Sequence, residues 1–160
     1  MSRFNIFGRY SRHLAKMKYR IFIILISILL FACSDNYDQN YDNFSDFNTA
    51  TLRSKTWFPA IISSDAYNIQ NTSSTNPVCA FGTFSYLNSN FYDSIFRNPQ
   101  TMQIDFLMFS QKIKQHFERK PDWFLNVDNV SKNEIEIIKA EEFFIARQKS
   151  EKKVYFILCD

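Results

Sequence analysis

Apolar and polar positions fall into long blocks along this chain. Residues 1–20 scatter six cationic side chains among apolar ones, and residues 21–32, IFIILISILLFA, form an apolar run of twelve positions with Ser27 as its one polar residue. Residues 34–50, SDNYDQNYDNFSDFNTA, then contain four Asp, no Lys or Arg and no aliphatic residue larger than Ala. From Leu52 apolar residues return and persist to Asp160. Trp57 to Ile62 is an apolar entry segment broken by Pro59, and the Ser-, Asn- and Thr-rich stretch 63–76 reads as a surface loop. Val78 to Tyr86 is rich in β-formers and predicts a strand, with Gly82 marking a bulge or a close backbone approach. Ser89 can cap a short helix carrying Phe91, Tyr92, Ile95 and Phe96 on one side. Asn98 as N-cap and Pro99 in the first helical position open the clearest helix. Its stripe is Met102, Phe106, Phe109, Ile113 and Phe117, and Pro121 stops it.

Trp123 to Val127 predicts a short strand. Ser131 and Glu134 fit a capping box, whereas Ile135 and Ile137 alternate as in a strand, and the alternation is preferred. Phe143–Lys149 and Lys153–Cys159 predict a hairpin around Ser150-Glu151. The sum is an α+β fold: one small domain over residues 52–160, an antiparallel sheet with a C-terminal hairpin packed against one or two helices. Residues 33–51, poor in aliphatic side chains, are expected as a flexible acidic tether ahead of it.

An apolar run of twelve positions falls short of the about 20 that a helix needs to cross the hydrocarbon core. A cationic flank, an apolar stretch of that length and a small residue at its end have the layout of a secretory signal. Leu30-Phe31-Ala32-Cys33 closes this segment and resembles the lipobox of a bacterial lipoprotein, although Phe31 is bulkier than the usual occupant of its place. The resemblance covers roughly the first thirty-five residues and carries no information on the fold of the rest. It implies that residues 1–32 are a signal peptide and that Cys33 is lipidated, its acyl chains (palmitate among them) holding the chain on the cell envelope. Ser34, and not Asp, follows Cys33, which in this family points to the outer membrane, facing the periplasm, in preference to the inner one. Met17 begins a more compact signal than Met1, so either can be the start.

Charge changes its meaning once residues 1–32 are set aside. The whole chain has a formal charge of +3, but the remainder keeps thirteen cationic and sixteen anionic side chains, a net −3. That excludes the basic surface on which nucleic-acid binding depends. With Cys33 assigned to lipid, Cys79 and Cys159 are left. Two readings stay open: a disulfide, which an exported compartment permits, or two separate buried thiols.

Candidate chemistry is sparse. Gly82 is the single glycine after Gly8, so phosphate-cradling loops, dinucleotide fingerprints and a serine nucleophile elbow are excluded. His116 is the single histidine after His13, which removes sites built from several His, and neither a metal nor a cofactor is expected. Asp38, Asp42 and Asp46 are read as solvated tether charges. If the chain were an enzyme, His116 would be the base and Cys79 or Cys159 the nucleophile. The preferred reading assigns no catalytic residue. It is a lipid-anchored envelope protein that binds a partner or plays a structural role, with a Cys/His-dependent envelope enzyme as the alternative. Trp57, Trp123 and the many Phe and Tyr supply aromatic surface for such a partner.

Overall fold

The structure is a computed structural model that describes residues 36–160, with Leu52 and Arg53 described by their backbone alone. The lipobox and Cys33 lie outside the described residues. Residues 36–160 form one compact unit. It holds β1 (Asn36–Asn43), α1 (Phe44–Thr49), α2 (Leu52–Lys55), β2 (Tyr67–Thr75), β3 (Val78–Ser85), α3 (Ser89–Phe96), β4 (Met102–Gln103), α4 (Phe106–Gln115), a 3₁₀ turn at Phe117–Arg119, β5 (Ile135–Ala140), β6 (Phe143–Gln148) and β7 (Lys153–Cys159). Among the described residues no helix is long and apolar enough to cross a membrane.

The strands make one seven-stranded sheet in the order β1-β2-β3-β7-β6-β5-β4, antiparallel throughout. Two meanders are therefore joined side by side where β3 meets β7. The α+β class, the β3 strand and the C-terminal hairpin are as the sequence predicts. Period-two alternation sorts the side chains onto two faces. Phe84, Ile138, Phe143, Ile145, Val154 and Phe156 face α1, α3 and the 57–66 segment, with Phe47, Phe58, Tyr92 and Phe96 closing that core. Phe81, Ile135, Ile137, Ala146, Tyr155 and Ile157 face α4 and the stretch after it, which contributes Phe109, Ile113, Phe124, Leu125 and Val127. The helices thus cover both faces of the sheet.

Several expectations are corrected. Residues 36–49 are not a tether, and the domain begins at Asn36, not at residue 52. β1 pairs with β2 from Asn36↔Ser74 to Asn43↔Tyr67. Asn43 caps α1 through its side chain, which accepts from the Asp46 N–H at 3.1 Å. Aromatic rings replace the missing aliphatic residues: Tyr41 and Phe47 meet edge-on at 5.5 Å, and Phe47 meets Phe58 at 5.1 Å. The polar stretch 63–76 is largely β2. Its Asn71, Ser73 and Ser74 are buried, and its backbone groups are satisfied by strands on both sides.

The long helix is shorter than its stripe. Asp105, not Asn98, is the N-cap, accepting from the Met108 N–H at 2.8 Å, so Met102 falls on the edge strand β4. Pro99 lies in a turn. Residues 123–127 form no strand; Phe124, Leu125 and Val127 pack into the core from a loop. The Glu134 carboxylate does accept from the Ser131 N–H at 3.2 Å, but the Glu134 N–H bonds the Ser131 carbonyl and not its hydroxyl, closing a turn ahead of β5. The alternating reading of 135–140 is the correct one.

Gly82 marks a close approach. It lies opposite Phe156 in the β3–β7 register, and the Phe156 ring covers it. A Cβ built there would come within 1.9 Å of Phe156 Cζ. Phe156 is fully buried and has no room to retreat. Gly82→Ala is expected to lower the unfolding free energy by about 2–3 kcal/mol through overpacking. In urea titrations the Gly82→Ala/Phe156→Leu double variant should lose less than the sum of the two single changes, because the shorter side chain frees the space. Strict additivity would show that the ring is not what excludes a side chain at position 82.

Candidate functional site

The residues singled out as a possible thiol–imidazole pair do meet. Cys79 in β3 and Cys159 in β7 stand opposite each other in the register and are joined in a disulfide. α4 runs across the same face and ends at His116, whose N–H caps the Ile113 carbonyl at 3.1 Å. A ring nitrogen of His116 and both sulfurs lie within 4.8 Å of one another. Burial depresses the His116 pKa below that of an ordinary imidazole, and the charges of Lys112 and Arg119 add to this, favouring the neutral ring. The sulfurs are buried and bonded to each other. In this state they offer neither the thiolate that a nucleophile requires nor the thiolate that a metal requires. Among the described residues no other group of three or more His, Cys, Asp and Glu lies within ligand distance, and Asp38, Asp42 and Asp46 are not brought together.

A second constellation was not singled out from the sequence. Arg147 of β6 is fully buried on the face that carries α3. Its guanidinium lies 4.8 Å from the centroid of the Phe96 ring. Nη1 is 2.8 Å from Asp93 Oδ1 on α3, and Nε donates to Glu136 Oε2 of β5 at 3.0 Å while Nη2 contacts the same oxygen. Lys149 pairs with the other Glu136 oxygen. The hydrogen bond and charge of Arg147 hold the Asp93 carboxyl below its ordinary pKa. For Glu136 burial alone would raise the value, but hydrogen bonds from Lys149 and Arg147 bring it below the ordinary one. The cluster ties helix to sheet at one end of the core. The alternation Phe143, Ile145, Arg147 already places this arginine on an apolar face, and that signal could have found it.

A related polar knot fixes the start of α3. Asp65 accepts from the Leu87 N–H at 3.0 Å and from the Asn88 N–H, and is bonded by the Ser63 hydroxyl. Ser63 Oγ lies 2.8 Å from the Tyr92 hydroxyl, and burial pushes the Tyr92 pKa up to about 12. These groups are spent on positioning the backbone.

The β4 edge of the sheet, next to the strand that carries Glu136, exposes apolar side chains. β4 is an edge strand of two residues, and Met102 on it is 62% exposed. The first turn of α4, three residues on, exposes Leu107 (67%) and Met108 (48%). Exposed large apolar side chains are the kind of surface a partner covers.

Compared with known proteins, residues 35–85 match the family described as the YbbD head domain. The match spans the β1-β2-β3 meander with α1 and α2, about a third of the chain. No curated protein and no solved structure matches the chain. In its first meander, this chain is similar to a YbbD head domain.

Proposed function

We propose that this chain is a lipid-anchored protein of the cell envelope that acts by binding a protein partner, Cys33 supplying the anchor and the β4–α4 edge the contact. The observation that carries the binding reading is the exposure of Met102, Leu107 and Met108 beside an edge strand too short to shield them. Methionine and other large apolar side chains adapt to a facing surface and contribute most when water is excluded from them. The anchor rests on the lipobox at residues 30–33. Attachment at the outer membrane, facing the periplasm, is the finer form of the proposal, supported by Ser34.

The experiment is photo-crosslinking in cells from position 107, with exposed Lys132 as control position. A discrete adduct from 107, absent from 132 and suppressed by Met102→Asp, is the expected result. Equal labelling from both positions, or none, would remove the binding reading. Cys33→Ser should leave a heavier, unprocessed precursor, and a normally cleaved, lipid-free wild type would remove the anchor. The Cys/His enzyme reading has one observation in its favour, the closeness of His116 to the two sulfurs. It requires His116→Ala to abolish function without unfolding the chain; the binding reading expects function to survive.

A further inference from the structure

The edge strand β1 and its neighbour β2 leave a polar cleft on the face that carries α4. Alternation sets Asp38 opposite Thr72 and Asn40 opposite Gln70. The segment after α4 overhangs this floor with Arg119, Pro121 and Trp123. The space is about 530 Å³, within the range of small-molecule sites. Trp123 is half-buried: it meets Phe124 edge-on at 6.2 Å and also lines the cleft. The floor is only lightly committed to internal bonds. The Thr72 hydroxyl donates to Asp38 at 2.6 Å, and Arg119 Nη1 reaches the Pro77 carbonyl at 3.4 Å.

The lining defines the class of ligand. Asp38 accepts only, Arg119 donates only, and Asn40 and Gln70 do both. One anion and one cation offset each other, so the cleft has no net charge to attract an ion. A matching ligand presents closely spaced groups that each donate and accept, together with a flat apolar face for the indole and the Pro121 ring. A pyranose has both. We infer that this cleft binds a neutral oligosaccharide, one ring stacked on Trp123 and its hydroxyls held by Asp38, Asn40, Gln70 and Arg119. The site lies on the β1 side of the sheet, at the far end from β4, and is independent of the protein-binding edge.

The test titrates the full chain, purified in detergent, with cellotetraose and with the N-acetylated chitotetraose, read by calorimetry. Saturable binding of at least one of them is expected, weakened at least about tenfold by Trp123→Ala and unchanged by Trp57→Phe. Because Trp123 also borders the core, Asn40→Ala and Gln70→Ala are measured beside it. Both should weaken binding while leaving the melting temperature in place. No saturation with either sugar would overturn the inference. So would an affinity that Trp123→Ala and both amide variants leave unchanged.

Discussion

Replacing Cys79 and Cys159 together by alanine is expected to lower the unfolding free energy by about 4–5 kcal/mol. The two residues are 80 positions apart in sequence. Tying them removes the loop-closure entropy of that span from the unfolded chain, which for such a length is worth about 4.5 kcal/mol. In the folded state β3 and β7 are neighbours with or without the bond, since seven register pairs join them. The effect therefore acts mainly on the unfolded chain and should leave the fold intact. The alanine pair should show a lower urea midpoint with an unchanged far-ultraviolet spectrum. A slightly steeper denaturant slope is also expected, because an unbridged unfolded chain exposes more surface. Equal midpoints for the oxidised and alanine forms would show that packing alone closes the loop.

Arg147→Ala should cost about 3 kcal/mol, the lower end of the range for breaking a buried ion pair. Its guanidinium is wholly buried, but Asp93 and Glu136 are each about a third exposed, so water screens the charges left behind. Arg147→Met, which keeps most of the side-chain volume against Phe96, should lose less than the alanine variant. The network also sets the acid limb of stability. Asp93 and Glu136 have folded pKa values below their unfolded ones. Their contribution is complete above the ordinary carboxylate range, about pH 4, and is lost as pH falls through the folded values. Wild type should lose stability in that acid window, and Arg147→Met should lose less of it. Parallel pH profiles for the two would dissociate the carboxylate shifts from Arg147.

How far the fold was legible depended on which residues carried the apolar area. β3, β6 and β7 announce themselves through runs of β-branched and aromatic side chains, and the structure has them within a residue or so of the predicted bounds. β1 and β2 do not. NYDQNYDN and YNIQNTSST are polar by composition, and their strand state comes from pairing across the sheet and from a few rings beneath it. Local composition reports side-chain burial and is silent on a backbone ladder made with distant residues. The helix starts later than Asn98-Pro99 implies for a related reason. Asn98-Pro99 satisfies the local rule for a helix start, but Ile104 is engaged by the β5 edge, its N–H bonded to the Ile137 carbonyl at 3.0 Å. Asp105 then becomes the first position free to cap. The meeting of Cys79, Cys159 and His116 followed from no local pattern, since it depends on β3 and β7 being adjacent and on α4 crossing them. The polar cleft stayed hidden because its floor lies on the two strands that composition did not reveal.

If Cys33 carries the proposed anchor, the recruitment of residues 36–43 into the sheet sets a standoff distance. With acyl chains on Cys33, as proposed, the first strand begins three residues later. An extended chain of that length spans at most about 11 Å. On the proposed anchor, a folded body on so short a leash would be held against the membrane surface and would not sample the depth of the periplasm. Encounters with its partner would then be a two-dimensional search along the bilayer. Inserting a flexible Gly/Ser spacer after Ser34 would test whether that confinement matters to the cell.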